Sequence, residues 1–257
     1  MNYALITGAS KGIGKALAVE LAKRKYNLLL LARSADLLAA LALELKETYN
    51  VETAFLAIDL SVPDADEKIL QWCTLNNYTI NILVNNAGFG LAGPFERYSR
   101  NENAALLQVN ILSLVQLCQA FLPMLRAQPR SYILNVASSS AYQSVPLLNL
   151  YSSSKAFVLH FSRSLSHELK NSSVSVTALS PGPTDTDFPN RAQMNEKTKK
   201  TAVKFNMSPE EVARIAVKAL FASKREVVPG FINKLGVCLV WLLPKVFVEK
   251  TASSIYK

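Results

Sequence analysis

Tyr151 and Lys155 stand four residues apart in the run Tyr151-Ser152-Ser153-Ser154-Lys155. On a helix this spacing puts both side chains on one face. A lysine ammonium beside a phenol favours the phenolate, so the tyrosine can exchange a proton near neutral pH. Ser138 follows the apolar run Tyr132–Val136. Its hydroxyl can hydrogen-bond a substrate oxygen on which negative charge develops. A surface Tyr–Lys pair is common on helices, so these residues gain meaning from what accompanies them.

Their company is Thr7-Gly8-Ala9-Ser10-Lys11-Gly12-Ile13-Gly14, between an apolar run and a helical pattern. Gly8 permits a tight turn, Gly12 lets a diphosphate approach the backbone, and Gly14 lets helix and strand pack closely. The N–H groups and dipole of the helix start then face the anion. Three of the nine glycines sit here, and Gly88, Gly90 and Gly93 cluster after a later apolar run. A fold that takes NAD usually ends its second strand on an acid for the ribose 2′-OH, whereas NADP needs a cation for the 2′-phosphate. This position reads Ala32-Arg33, with no acid before Asp36. Arg33 can clamp a phosphate through a bidentate fork, and Lys11 adds a second charge on the same side. NADP(H) is the expected cofactor.

The elements that must hold these residues alternate. Apolar runs of strand length at 3–6, 28–32, 53–58, 80–84, 132–136 and 174–179 are separated by stretches of helical period. Helices are expected over 37–49, from Pro63 onward, over 102–125 as one long helix, and over 151–169. Another opens at Ser208-Pro209-Glu210-Glu211, with a cap, a first-turn proline and acids behind it. Glu226–Val228 offers a last short strand. This order predicts an α/β fold, a single-domain, Rossmann-like, doubly wound parallel sheet with helices on both faces. In such sheets ligands sit beyond the C-terminal strand ends, where every motif above falls.

Composition excludes other classes. The chain has 257 residues, half apolar and 18% charged, which is ample for a buried core. Residues 190–257 hold 13 Lys/Arg against 5 Asp/Glu, so most of the net +9 belongs to the C-terminal quarter. A whole-domain nucleic-acid binder is not indicated. Cys73, Cys118 and Cys238 are too scattered for a disulfide framework or metal site and read as core residues in a reducing, cytoplasmic setting. His160 and His167 have no second ligand in register, and no metal is expected. The longest uncharged stretch near the end, Leu235–Pro244, is too short to span a bilayer, which takes about 20 residues. The N-terminal residues carry no targeting signal.

Taken in order, the motifs resemble those of the short-chain dehydrogenases/reductases over roughly residues 2–230. They are TGASKGIG at 7–14, Asp59-Leu60, Asn85-Asn86-Ala87-Gly88, Asn110, Ser138, Tyr151–Lys155 and Pro181-Gly182-Pro183-Thr184-Asp185-Thr186. The resemblance implies a catalytic tetrad of Asn110, Ser138, Tyr151 and Lys155. Tyr151 would be the general acid, Lys155 would also bind the nicotinamide ribose, and Asn110 would hold a water linking Lys155 to solvent. It also implies that Gly8, Ser10, Lys11, Gly12, Ile13, Gly14 and Arg33 bind cofactor. Asp59 and Leu60 would contact adenine, and Asn86, Ala87 and Gly88 would line the adenine ribose side. Pro181, Gly182, Thr184 and Thr186 would cover the nicotinamide. Ala137 departs from the family, in which many members carry serine there, and Ser139 and Ser140 stand beside the expected catalytic serine. In the family, helices corresponding to 102–125 and 151–169 pair across a dimer, so a homodimer or homotetramer is expected.

The expected activity is NADPH-dependent reduction of a carbonyl, or the reverse alcohol oxidation, on a small hydrophobic or acyl-type molecule. The alternative, a non-catalytic NADP(H)-binding module, has no need of all four tetrad residues. Residues 187–206, with Arg191, Lys197, Lys199, Lys200 and Lys204, should cross the mouth of the site. Residues 231–257 lie outside the shared pattern as an apolar, basic extension. It suits a pocket wall, a contact with a neighbouring subunit or, as the minority reading, a peripheral membrane segment.

Overall fold

Two apolar faces are written into single strands. In β1 (Asn2–Thr7), Ala4 and Ile6 point to one side of the sheet and Leu5 to the other. The leucine run of β2 (Asn27–Ala32) divides in the same way, with Leu28 and Leu30 on one side and Leu29 and Leu31 on the other. A strand alternates its side chains across the sheet, so an uninterrupted apolar run is a strand covered on both faces.

The computed structural model describes residues 2–203 and 206–256; Lys204, expected at the mouth, lies outside the described residues. α1 (Gly12–Ala22) follows β1, and α2 (Ala35–Tyr49) leads from β2 to β3 (Thr53–Ala57). α3 (Ala65–Leu75) returns the chain to β4 (Thr79–Asn85). Next come α4 (Arg100–Leu107), α5 (Ser113–Arg126), β5 (Ser131–Val136), α6 (Asn149–Glu168) and β6 (Val174–Leu179). The short α7 (Phe188–Arg191) and α8 (Glu196–Val203) precede α9 (Pro209–Phe221) and β7 (Glu226–Val227), and α10 (Phe231–Leu242) and α11 (Lys245–Tyr256) close the chain. The seven strands are parallel in the order β3-β2-β1-β4-β5-β6-β7. The winding therefore reverses between β1 and β4, and the crevice beyond their C-terminal ends is where this architecture accepts ligands.

Two core clusters flank the sheet. Leu17 and Leu21 of α1, Leu38 and Leu45 of α2 and Val212, Ala216 and Leu220 of α9 cover one face. Ile69 of α3, Leu117, Phe121 and Leu125 of α5 and Val158 and Leu159 of α6 cover the other. The opening of α9 is as expected: Ser208 Oγ accepts from Glu211 N at 3.1 Å.

Three expectations are corrected. The single long helix over 102–125 is two helices joined by a π-helical turn, Gln108–Leu112, which carries Asn110. The helix expected from Pro63 begins at Ala65, after Asp64 in a left-handed conformation. Cys73 and Cys118 are buried as expected, but Cys238 is exposed on α10. Among the described residues, the stretch Arg100–Arg126 is long and apolar enough to cross a membrane. Its Leu106, Leu114, Leu117, Phe121 and Leu125 are buried in the fold, which accounts for that apolarity.

Candidate active site

The loop after β1 is shaped by contacts that leave no room for side chains. Gly8 has φ +65°, and Asn86 Nδ2 donates to the Thr7 and Gly8 carbonyls at 2.9 and 3.1 Å. Thr7 Oγ1 accepts from the backbone N–H groups of both Asn86 and Ala87 at 3.0 Å, tying the end of β1 to that of β4. A Cβ on Gly14 would come within 2.2 Å of the Gly8 carbonyl. The first turn of α1 therefore packs directly on the turn before it. That turn has no acidic residue and no side-chain cap. Its N–H groups are unpaired by helix geometry and face the crevice, where an anion is the matching ligand.

The loop opens on a cavity of about 770 Å³ that runs across the C-terminal strand ends. Gly8, Ser10, Lys11, Gly12, Ile13 and Gly14 line it after β1, and Arg33 and Ser34 after β2. Asp59 and Leu60 line it after β3, Asn86, Ala87 and Gly88 after β4, and Ser138 after β5. Tyr151 and Lys155 reach it from α6, and Pro181, Gly182, Thr184 and Thr186 from the segment after β6. Every residue expected at the site borders this cavity except Asn110, which is set back behind its wall. Arg33 is exposed and forms no ion pair among the described residues. Asp59 is also on the wall, with Oδ1 accepting from Ser61 N at 2.9 Å.

Beneath the chemistry-bearing residues lies a buried polar ladder. Asn85 Nδ2 donates to Asn135 Oδ1 at 2.9 Å, and Asn135 Nδ2 donates to Ser162 Oγ at 3.0 Å, joining β4, β5 and α6. Asn110 is 1% exposed; its Nδ2 donates to the Phe89 carbonyl and to Ser154 Oγ, and its Oδ1 accepts from Phe89 N. The π turn that presents Asn110 thereby clamps the segment after β4 against α6. Gly88 makes this close approach possible, since a Cβ there would lie 3.1 Å from both Asn110 Oδ1 and Lys155 Nζ.

Lys155 is buried, and its Nζ donates to the Val136 carbonyl at 2.8 Å. Desolvation pushes its pKa down to about 8, because a buried ammonium loses its water shell without a carboxylate to replace it. Nζ lies 5.8 Å from the centre of the Tyr151 ring. Ser138 caps a 3-10 turn, Ser139–Tyr142, and its Oγ accepts from Ser140 N and from Ser140 Oγ at 3.1 and 3.0 Å. Ser138, Ser139 and Ser140 all border the cavity. This wall can give a proton to an oxygen, hydrogen-bond that oxygen, and place a cation behind the donor.

The segment 187–206 and the C-terminal extension, expected at the mouth and as a pocket wall, do contribute an apolar wall, although the sequence reading does not name its individual residues. Phe188 lies against Tyr151 with ring centres 5.0 Å apart, and Ala92, Val145, Leu148, Ala192, Met194 and Ala252 pack around the pair. Gly90 marks this contact, because a Cβ there would meet the Phe188 ring at 2.9 Å; the glycine cluster at 88–93 was its signal. Residues 187–206 do border the mouth through Phe188, Arg191, Met194 and Thr198. The expected basic character is partly neutralised. Arg191 pairs with Asp187 at 3.3 Å, Lys199 pairs with Glu196 at 2.8 Å, and Lys197 donates to the Ser254 carbonyl. Asn190, and then the Arg191 and Lys11 charges, hold the Asp187 carboxyl below its ordinary pKa. His160 and His167 are exposed on α6.

Comparison with known proteins adds to this geometry. A family model described as short chain dehydrogenase matches residues 2–198. The very-long-chain 3-oxoacyl-CoA reductase-A of Danio rerio is 40% identical over 184 residues, 70% of this chain and 57% of that protein. This chain spans less than two thirds of the length of such reductases. The 17-beta-hydroxysteroid dehydrogenase type 3 of Homo sapiens is 33% identical over 234 residues, 90% of this chain and 74% of its own length. Among solved structures, a short-chain dehydrogenase from Sphingobium yanoikuyae in complex with NADPH superposes with a TM-score of 0.80. It is 30% identical, with 89% of this chain and 87% of that one covered.

Proposed function

This chain belongs to the short-chain dehydrogenase family, and we propose that it is an NADPH-dependent reductase of a carbonyl on a hydrophobic or acyl-type small molecule. The observation that carries the reading is the convergence of Tyr151, Ser138 and buried Lys155 on one wall of the cavity, with the uncapped start of α1 and Arg33 on another part of it. When bound, the nicotinamide cofactor supplies the hydride.

The residues present fit that cofactor. The first turn of α1 and the Gly8–Gly14 loop would hold the diphosphate, for which Gly14 clears the space. Arg33, with Ser34 beside it, would hold a 2′-phosphate, and the lining contributed after β2 contains no carboxylate to repel one. Asp59 and Leu60 would meet the adenine, and Pro181, Gly182, Thr184 and Thr186 the nicotinamide end. Tyr151 gives its hydroxyl proton to the carbonyl oxygen as that oxygen gains electrons, and Ser138 donates a hydrogen bond to the same atom. Lys155 supplies a positive charge behind the phenol and a donor toward the cofactor ribose. Asn110 positions Lys155 by holding the segment 88–89 in place. Alcohol oxidation is the same chemistry reversed.

The apolar wall of Val145, Leu148, Phe188, Met194 and Ala252 supports a lipophilic substrate. The similar proteins, a very-long-chain 3-oxoacyl-CoA reductase and a hydroxysteroid dehydrogenase, support the same class. Exposed Leu112 and the Phe157–Phe161 stack on α6 leave an apolar face that supports association into a homo-oligomer. The test is a panel of carbonyls followed by loss of reduced-nicotinamide absorbance, with NADPH and NADH in parallel. Long-chain 3-oxoacyl thioesters and ketosteroids should turn over with NADPH and short aldehydes poorly; turnover of none of them would reject the reading.

A further inference from the structure

The extension after Gly230 divides into two helices with opposite fates. α11 turns Val248 and Ala252 inward, and Ala252 reaches the cavity. α10 buries no residue at all. Its inner side is Asn233, Val237 and Val240, which are only half-buried. The rest of the helix, the turn after it and the first residues of α11 expose Phe231, Ile232, Leu235, Leu239, Trp241, Leu242, Leu243, Val246 and Phe247, with Phe231 81% and Trp241 82% accessible. Scattered apolar residues on a surface are ordinary, but a continuous set of this size marks a contact site.

We propose that α10, the turn at Leu243–Pro244 and the start of α11 form a docking surface for an anionic lipid membrane, lying in the plane of its headgroups. Three observations select this occupant. The first is charge: Lys234, Lys245 and Lys250 flank the apolar residues, and Glu249 is the only acid between 227 and 257. A lysine stem lies along apolar surface while its ammonium reaches the headgroups, and an anionic leaflet attracts it. A second copy of this chain would present the same excess of cations, with one acid per copy to meet them. The second is residue type: Trp241, Phe231 and Phe247 lie among leucines and valines, and aromatic rings of this kind settle at the headgroup level. The third is length. A helix of 12 residues is about 18 Å long, against a hydrocarbon core of about 30 Å, so it lies on the bilayer and does not cross it.

The surface begins at the rim of the cavity. Asn233 packs against Gly182, where an added Cβ would fall 2.2 Å from Asn233 Oδ1, and Asn233 Nδ2 donates to the Pro229 carbonyl at 2.8 Å. Gly182 is part of the cavity lining. A lipid surface on α10 therefore lies beside the site, whichever substrate that site takes.

The experiment is flotation of the full-length protein with vesicles of phosphatidylcholine alone and of phosphatidylcholine mixed with phosphatidylserine. The protein should float with the mixed vesicles at low salt, and much less with phosphatidylcholine alone or at high salt. Replacing both Leu239→Glu and Trp241→Glu should abolish flotation while leaving the thermal melt unchanged, because neither side chain is buried. Lys234→Gln and Lys245→Gln should each weaken binding to mixed vesicles about fivefold. Absence of wild-type flotation with mixed vesicles would overturn the proposal, as would flotation that survives the paired glutamates. A wild-type dimer that light scattering shows falling to half its mass in the paired variant would assign the surface to a second copy instead.

Discussion

At the cavity a single methyl group on Gly14 would collide with the Gly8 carbonyl, while beyond its rim α10 exposes a tryptophan almost fully. The first region is fixed by reciprocal contacts. Thr7 joins β1 to β4, Asn110 joins the segment after β4 to α6, and Lys155 is held on the Val136 carbonyl. Its groups act on atoms that every substrate of the reaction shares, so their positions must not vary. The second region, from Phe188 to α11, is built from short helices and small side chains such as Ala192 and Ala252. Those residues set cavity shape and surface character, which can change without disturbing the chemistry. Rigid strand ends for reaction and peripheral helices for selection is the division that recurs where loops on a fixed scaffold carry specificity.

The sharpest way to break this division is Tyr151→Phe. The ring and its contact with Phe188 remain, so the fold and cofactor affinity should be retained, while turnover falls about 10²–10⁴-fold with loss of the proton donor. Stopped-flow turnover alongside cofactor titration reads both quantities. Turnover close to wild type would move the chemistry off this wall and favour a binding module.

Arg33→Ala tests the far end of the same rigid region. Loss of one charge-assisted phosphate contact costs roughly 1.5–3 kcal/mol, or about ten- to a hundredfold in affinity. NADPH binding should weaken by that factor, NADH binding should not change, and fluorescence titration of the two cofactors measures the difference. Equal NADPH affinity in both proteins would remove Arg33 from the cofactor site.

Ala252→Leu probes the peripheral region. Ala252 is buried against Met194 and the apolar wall, so added methylenes narrow the cavity. A change of this size in an apolar pocket is worth about tenfold in selectivity. The ratio of kcat/KM for a bulky ketone over a short one should fall by about that amount, with NADPH affinity unchanged. Equal losses on both substrates would mean that α11 supports the catalytic wall and does not shape the pocket.

The same division explains what the sequence disclosed. The residues of 7–14, 85–88 and 151–155 are contiguous motifs whose geometry is local, and the uninterrupted apolar runs of β1 and β2 made the two-faced sheet legible. Asn110 was found through its place in the motif order, but the π turn that carries it was not. A π turn inside an apolar helix leaves the spacing of leucines nearly intact, so Leu106, Leu114 and Leu117 read as one helix. Phe188, Met194 and Ala252 come from α7, the connection after it and α11, and nothing local marks them as neighbours. Cys238 misled because an apolar stretch reads as core whether or not anything covers it.

The smallest expected effect concerns Lys155, and its sign separates catalysis from folding. Burial lowers its pKa in the folded chain to about 8 from an ordinary value of 10.5. Below pH 8 the charge behind Tyr151 is present, and above it the charge is lost. The rate of carbonyl reduction should therefore be halved near pH 8 and continue to fall above it. Stability moves the other way. Between the two pKa values the unfolded chain holds the Lys155 proton that the folded one has lost, which alone makes unfolding harder by about 1 kcal/mol from pH 8 to 9; early loss of the Cys73 and Cys118 protons from the unfolded chain offsets most of this, leaving a net rise of about 0.3 kcal/mol. Above pH 9 the trend reverses, because burial pushes Cys73 and Cys118 up to about 12 and the unfolded chain then loses protons that the folded chain keeps. Initial rates and thermal melts over pH 7–9 should thus diverge, with activity falling as the melting temperature rises. Lys155→Met should remove the rise in melting temperature. If rate and stability declined together in the wild-type protein, Lys155 would not be a titrating cation behind the phenol, and the fixed wall would owe its chemistry to another group.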